Sequence, residues 1–252
     1  MSELAFSFGR IAAEYDDVRP EYDAESLRRA EEVLGLDADS RVVDLAAGSG
    51  KLTRPLAARF AEVVAVEPNE EMRAVLAGRS AGVRVLAGTA ERMPLPDDFA
   101  DAVFVGDAFH WFDGGLAAAE LHRVLRPGGG VVLSWLQNDN HDGPQTRELW
   151  PLLRPLWERS SHPGIIEGRR GEALERHPGF APVRRAEIVF EDVLDRDGML
   201  AWFASFSVIG ALPDDERAVM LGRIAEILDR GGAGEGPFRR QWRADLWLTR
   251  RI

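Results

Sequence analysis

Asp44 and Glu67 are two acids spaced for ligand chemistry. Each closes a short apolar run: Val42-Val43 leads into Asp44, and Val63-Val64-Ala65-Val66 leads into Glu67. Between them lies Leu45-Ala46-Ala47-Gly48-Ser49-Gly50-Lys51-Leu52-Thr53, a small-residue turn that opens a helix. This order reads as a β-loop-α-β unit with an accessible loop backbone and a carboxylate at the tip of its second strand. A carboxylate there can accept from both hydroxyls of a ribose diol. The chemistry therefore points to a nucleoside-containing cofactor.

The dinucleotide fingerprint requires Gly-x-Gly-x-x-Gly. Gly48 and Gly50 fit it, but Thr53 stands at the third glycine. Asp44 would add negative charge beside a pyrophosphate, whereas an acid at that point suits a ligand carrying an ammonium. On the residues alone a nicotinamide cofactor, or a tight turn with no ligand, stays open. The order of acid, small-residue loop and second acid resembles the class I S-adenosylmethionine-dependent methyltransferases, whose first motif is roughly Asp/Glu-x-Gly-x-Gly-x-Gly. The chain departs from that motif at Ala46, a mild change if the local φ is negative.

The resemblance extends over residues 8–136. Gly88-Thr89-Ala90-Glu91-Arg92-Met93-Pro94-Leu95-Pro96-Asp97 resembles the loop on the adenine side of the cofactor, and Asp101-Ala102-Val103-Phe104-Val105-Gly106-Asp107-Ala108-Phe109-His110-Trp111-Phe112 the fourth strand and its catalytic-edge loop. Arg123-Val124-Leu125-Arg126-Pro127-Gly128-Gly129-Gly130 resembles the turn into the fifth strand. Ala108-Phe109-His110-Trp111-Phe112 and a Tyr-x-x-x-Arg-Pro segment are similar to the small-molecule branch that includes the trans-aconitate methyltransferases.

The resemblance implies S-adenosyl-L-methionine as cofactor. It places Glu67 on the ribose and Asp44 at the loop, near the methionine ammonium. Ala46, Gly48 and Gly50 would let backbone approach the methionine portion, and Ala90 and Glu91 would meet the adenine. Gly106 would offer backbone to the ammonium, and Pro68 and Met72 would line the adenine pocket. Tyr15 and Arg19 lie four apart in the N-terminal segment; Arg19 could clamp the methionine carboxylate in a planar fork and close the segment as a lid.

Methyl transfer from a sulfonium is an in-line displacement, so the protein mainly positions the acceptor and excludes water. A base is needed only for an acceptor protonated at neutral pH. His110, just past the fourth strand, is the candidate catalytic residue, as a base or as a hydrogen-bond partner of a substrate carboxylate; packing beside Trp111 is its plain structural alternative. Trp111, Phe112, Trp135, Trp150, Trp157 and Trp202 are candidates for the acceptor wall or for core. Asn138-Asp139-Asn140-His141-Asp142 has metal-ligand residue types, but the following Gly143-Pro144 makes it read as a turn. No metal is expected.

Alternating signals surround these residues. Residues 24–34 read as an amphipathic helix with Leu27, Ala30, Val33 and Leu34 on one face, closed by Gly35. Strands are expected at 41–44, 62–66, 83–87, 100–105 and 130–136, and helices at 52–60, 70–77 and 116–125. Apolar runs that do not alternate suit strands buried on both faces. Later come a strand at 183–194, helices at 200–212 and 216–228 divided by Pro213, and a last strand at 238–249. The expected fold is α/β: a Rossmann-like, doubly wound, seven-stranded, mainly parallel sheet with a helical cap inserted after the fifth strand. The organisation is one domain. A lid segment plus cofactor core spans 1–136, a cap 137–182, and the remaining sheet and helices 183–252.

Composition narrows the partners. The chain has 252 residues and a formal net charge of -11, which argues against nucleic-acid or anionic-membrane partners. It has no cysteine, excluding disulfides and thiolate metal sites. The first residues lack a basic flank and long apolar core, so no signal peptide is expected, and no run reaches the ~20 apolar residues of a membrane span. A cytoplasmic enzyme acting on a small organic acceptor, on a carboxylate or hydroxyl oxygen, is the reading. Its rivals are tailoring of a larger aromatic natural product and a silent cofactor-binding module.

Overall fold

The computed structural model describes residues 20–138, 144–159, 171–230 and 237–252. Its seven-stranded sheet has the order β3-β2-β1-β4-β5-β7-β6. The strands are β1 (Arg41–Leu45), β2 (Glu62–Val66), β3 (Arg84–Leu86), β4 (Ala100–Gly106), β5 (Leu125–Asn138), β6 (Arg184–Leu194) and β7 (Phe238–Arg250). Pairings from β3 through β5 are parallel, and β7 runs antiparallel to both β5 and β6. From β1 the chain builds outward to β2 and β3, then returns to lay β4 on the other side of β1. The carboxyl ends of β1 and β4 thus flank the point where winding reverses, where open α/β sheets bind ligands.

Both sheet faces are covered, which explains the continuous apolar runs. Val43, Val64, Val103 and Val131 enter one core with Ala117, Leu121 and Val124 of helix α4 (Gly114–Val124). Their neighbours Val42, Val63, Ala102 and Val132 enter another with Leu27, Ala30 and Leu34 of helix α1 (Ala24–Leu34). Adjacent residues point to opposite faces, so both must be apolar. Helix α1 starts where the Asp23 carboxylate accepts the Ser26 N–H at 2.8 Å and stops at Gly35, whose φ is 56°.

Helix α2 (Thr53–Ala57) is shorter than the expected 52–60, its last turn being irregular. Helix α3 (Glu70–Arg79) is capped by Asn69. Strand β5 begins earlier than expected. The Arg126–Gly129 stretch shifts register against β4 between Ala100 and Ala102, and pairing resumes at Gly130.

Helix α5 (Pro144–Arg159) follows β5, and the short α6 (Glu172–Arg176) precedes β6. The helix expected at 200–212 is two helices, α7 (Arg196–Ala204) and α8 (Ser207–Gly210). The break lies at Phe206, which is extended at φ -71° and ψ 131°; Ser205 before it is still helical, and its hydroxyl donates to the Trp202 carbonyl at 2.6 Å. Helix α9 (Asp214–Arg230) completes the set. Helices α5, α7, α8 and α9 share a third core with Trp242 of β7: Leu149, Leu153 and Leu156 pack there with Trp202, Phe203, Ile209 and Ile224. Among the described residues no helix is long and apolar enough to cross a membrane.

Candidate functional site

A cleft of about 1070 Å³, open solvent at its mouth included, lies over the carboxyl ends of β1, β2 and β4. Its floor is the loop after β1. Ala46 and Ala47 both donate backbone N–H groups to the Val66 carbonyl, at 2.8 and 3.2 Å, tying the loop to β2. Ala46 has φ 57°. The condition for alanine to be a mild change is therefore not met: the motif's first glycine position is left-handed here, and alanine there costs roughly 1–2 kcal/mol. Gly48 has φ 57° as well, and a side chain built on it would meet nothing within 4 Å. Its bare backbone faces the cleft.

Two buried acids hold this loop. Asp44 accepts the Thr53 hydroxyl at 2.5 Å, so the residue at the third glycine position tethers helix α2 to β1. Burial pushes the Asp44 carboxyl up to about 7, with the Thr53 bond opposing and the Glu67 charge adding to the rise. Glu67 accepts the Gly48 N–H on one oxygen and the Asn69 N–H on the other, each at 2.9 Å. Burial raises its carboxyl also, while those two N–H groups and Arg73 oppose. A carboxylate accepts about four hydrogen bonds, so Glu67 keeps capacity for two more donors. It stands at the tip of β2, held against rotation by the loop itself.

Helix α3 begins against this corner. Asn69 caps it by accepting the Met72 N–H at 2.9 Å, and Pro68, Asn69 and Met72 line the cleft.

Across the floor, Gly106 ends β4. A Cβ built there would fall 2.2 Å from the Tyr22 hydroxyl, so the phenol occupies the space that glycine leaves. Tyr22 donates to Asp107 Oδ2 at 3.0 Å, and Leu136 N–H donates to Asp107 Oδ1 at 3.0 Å. Asp107 has φ 49°, a left-handed conformation that Asp tolerates better than most residues. Beyond it Trp111, Phe112, Leu136 and Trp242 form an apolar wall. The Trp242 indole donates to Asp192 at 2.9 Å, and Asp192 also binds the buried Arg240.

Of the sequence candidates, the structure gathers Asp44, Ala46, Gly48, Glu67, Pro68, Met72 and Gly106 around one cleft. It does not bring the others to the lining. Gly50 turns toward Leu76 and Ser80 of the α3 side. Ala90 is packed in the core, and the Glu91 carboxylate accepts the Asp113 N–H at 3.0 Å. His110 accepts the Trp135 indole N–H on Nδ1 at 3.3 Å. Tyr15, Arg19 and most of the 138–142 cluster lie outside the described residues. Of the aromatic candidates, Trp111 and Phe112 line the cleft. Trp135 and Trp202 are buried in core, Trp157 packs on Phe206, and Trp150 is exposed.

Sequence reasoning passed over Tyr22, Lys51, Asn69, Asp107 and Trp242 as lining residues. Two signals were present: Lys51 is the chain's one lysine, and Gly106-Asp107 is a turn-forming pair next to a residue already singled out.

The family profile for the methyltransferase domain matches residues 43–133. An uncharacterized methyltransferase of Mycobacterium tuberculosis is 35% identical over 230 residues, 90% of this chain and 87% of that protein. A malonyl-[acyl-carrier protein] O-methyltransferase of Pseudescherichia vulneris is 30% identical over 192 residues, 76% of this chain and 74% of that protein. A solved structure from Anaeromyxobacter dehalogenans, described as a type II methyltransferase, has a TM-score of 0.65 at 25% identity, covering 92% of this chain and 97% of that one.

Proposed function

The chain belongs to the class I S-adenosylmethionine-dependent methyltransferases, and from that premise we propose that it methylates an oxygen of a small organic acceptor held against Trp111, Phe112, Leu136 and Trp242. S-adenosylmethionine is its methyl donor. The residues present fit that molecule. Glu67 offers two acceptor positions to a diol, the bare backbone at Gly48 admits close approach, and Asp44 supplies an acid near the path of an ammonium. Pro68 and Met72 give an apolar surface for a flat base.

The observation that carries the small acceptor is the continuity of the cleft. One space of about 1070 Å³ runs from Glu67 past Gly106 to the aromatic wall. It suits a cofactor together with a compact second molecule. The net charge of -11 supports the same reading, since it repels polyanions. Oxygen as the target is supported by the relative whose name carries O-methyl transfer. The Ala108 to Phe112 stretch supports placement near the trans-aconitate branch.

Bound, the cofactor supplies a methyl group on a positively charged sulfur, already activated for displacement. The chain's own part is orientation and water exclusion. Glu67 fixes the ribose, the loop from Ala46 to Gly48 fixes the amino-acid end, and the aromatic wall presents the acceptor in line.

The test is purified protein with isotopically labelled S-adenosylmethionine and a panel of small hydroxy and carboxy compounds, with the labelled product identified by mass spectrometry. A labelled methyl ether or ester supports the reading. Label found on nitrogen, on carbon, or only on protein or nucleic acid refutes it.

A further inference from the structure

We propose that Asp107 faces the acceptor's reacting atom and takes its proton, with Tyr22 as a positioning residue, so that the acceptor oxygen is a hydroxyl rather than a carboxylate. This rests on the small-molecule oxygen acceptor proposed above and narrows it.

Position singles out this acid. Glu67 at the tip of β2 marks the ribose, and the β1 loop carries the path of the amino-acid portion toward β4. Gly106 ends β4 on the far side of that loop and Asp107 follows it, between the loop and the aromatic wall. The transferred methyl must lie where the cofactor region gives way to the wall, and Asp107 is the acid there. Asp44 and Glu67 belong to the cofactor half, where Thr53, Gly48 and Asn69 hold them.

The local geometry is built to aim this carboxylate. The backbone of Asp107 is still in the sheet, its N–H donating to the Ser134 carbonyl at 2.8 Å. Its φ of 49° then turns the chain out of the β4 line. Leu136 N–H holds Oδ1 and the Tyr22 phenol holds Oδ2. The phenol reaches that oxygen only because residue 106 has no side chain. An anionic acceptor would meet like charge at this spot, whereas a hydroxyl gains an acceptor for its proton.

The step balances. The acceptor oxygen forms its bond to the methyl carbon as the carbon–sulfur bond breaks, with that electron pair going to sulfur. The hydroxyl proton passes to Asp107 and later to water. The products are a methyl ether and S-adenosylhomocysteine.

The decisive probe is sinefungin, the analogue in which a carbon bearing an ammonium replaces the methylated sulfur. A carboxylate facing the methyl position attracts that ammonium. Calorimetry would compare sinefungin with S-adenosylhomocysteine on the wild type, Asp107→Asn and Tyr22→Phe. Asn tolerates the left-handed φ and keeps the oxygen that Leu136 binds, so the variant retains the local fold. Asp107→Asn is expected to weaken sinefungin at least tenfold and S-adenosylhomocysteine less than threefold, with Tyr22→Phe intermediate. Equal weakening of both ligands, or none of either, overturns the assignment and leaves Asp107 a structural tie.

The panel of acceptors supplies the second arm. Methyl ethers formed by the wild type and lost at least a hundredfold in kcat by Asp107→Asn support the proposal. Turnover confined to carboxylates overturns it while leaving the small-acceptor reading intact. Label found only on a macromolecule defeats that reading instead, and the sinefungin comparison still decides what Asp107 faces.

Discussion

Asp44→Asn is the most quantitative perturbation the site allows. Asp44 is fully buried, and its carboxyl lies at about 7 against an ordinary 3.8. Between those values the folded protein holds a neutral carboxyl while the unfolded chain carries a charge, so folding takes up a proton. A raised acid contributes nothing below about pH 4, where both states are protonated. Its penalty grows as pH climbs to about 7 and is complete above that. The full span corresponds to roughly 4 kcal/mol.

Asparagine keeps an oxygen for the Thr53 hydroxyl and never ionises. The variant should gain stability over the wild type by roughly 2–3 kcal/mol more at pH 8 than at pH 5. Urea unfolding of both proteins without cofactor at pH 5, 6, 7 and 8, followed by tryptophan fluorescence, measures that difference directly. Other titrating groups are common to both proteins and cancel. A wild-type-to-variant difference independent of pH would refute the reasoning, because it would mean Asp44 ionises in the folded state as readily as in the unfolded one.

Other outcomes follow from the same geometry. Gly106→Ala drives a methyl into the Tyr22 phenol and should cost about 1–3 kcal/mol in urea unfolding; the cost should shrink in a Tyr22→Ala background. Arg240→Ala leaves Asp192 without its buried partner and should destabilise by roughly 3–5 kcal/mol, with Arg240→Met milder, read as midpoint shifts in chemical denaturation. His110→Ala removes the acceptor of the Trp135 indole and should cost about 1 kcal/mol in stability while leaving turnover on a hydroxylated substrate within about threefold. A loss of a hundredfold or more would make His110 the proton acceptor in place of Asp107.

Much of the Glu67 side of the cleft was legible because it rests on local rules. An acid ending an apolar run, a small-residue turn and a second acid at the next strand's tip are all contiguous signals, and Glu67 and Gly48 do meet. The continuous apolar strands announced a sheet covered on both faces, and Val42 and Val43 do enter opposite cores. The sign of φ at Ala46 was not legible, since the loop's conformation goes with a bond to the Val66 carbonyl on the neighbouring strand.

The Trp242 side of the cleft depends on long-range register. Trp242 reaches the cleft because β7 inserts antiparallel between β5 and β6, pairing Trp242 with Asn138 and Phe190. Tyr22 meets Asp107 across 85 residues of chain. Neither juxtaposition leaves a trace in spacing. The break at Phe206 was hidden for the opposite reason: residues 200–212 keep their apolar pattern through it, and an extended ψ at a single aromatic residue ends the helix.

The central claim is that this cleft binds S-adenosylmethionine with its ribose on Glu67. Titrating wild type and Glu67→Gln with S-adenosylhomocysteine by calorimetry tests it most directly. Glutamine keeps one acceptor oxygen and removes the charge, so at least one charge-assisted bond, worth about 1.5–3 kcal/mol, is lost. The account predicts binding by the wild type that the variant weakens roughly 10- to 150-fold. Equal affinities in the two proteins would contradict it.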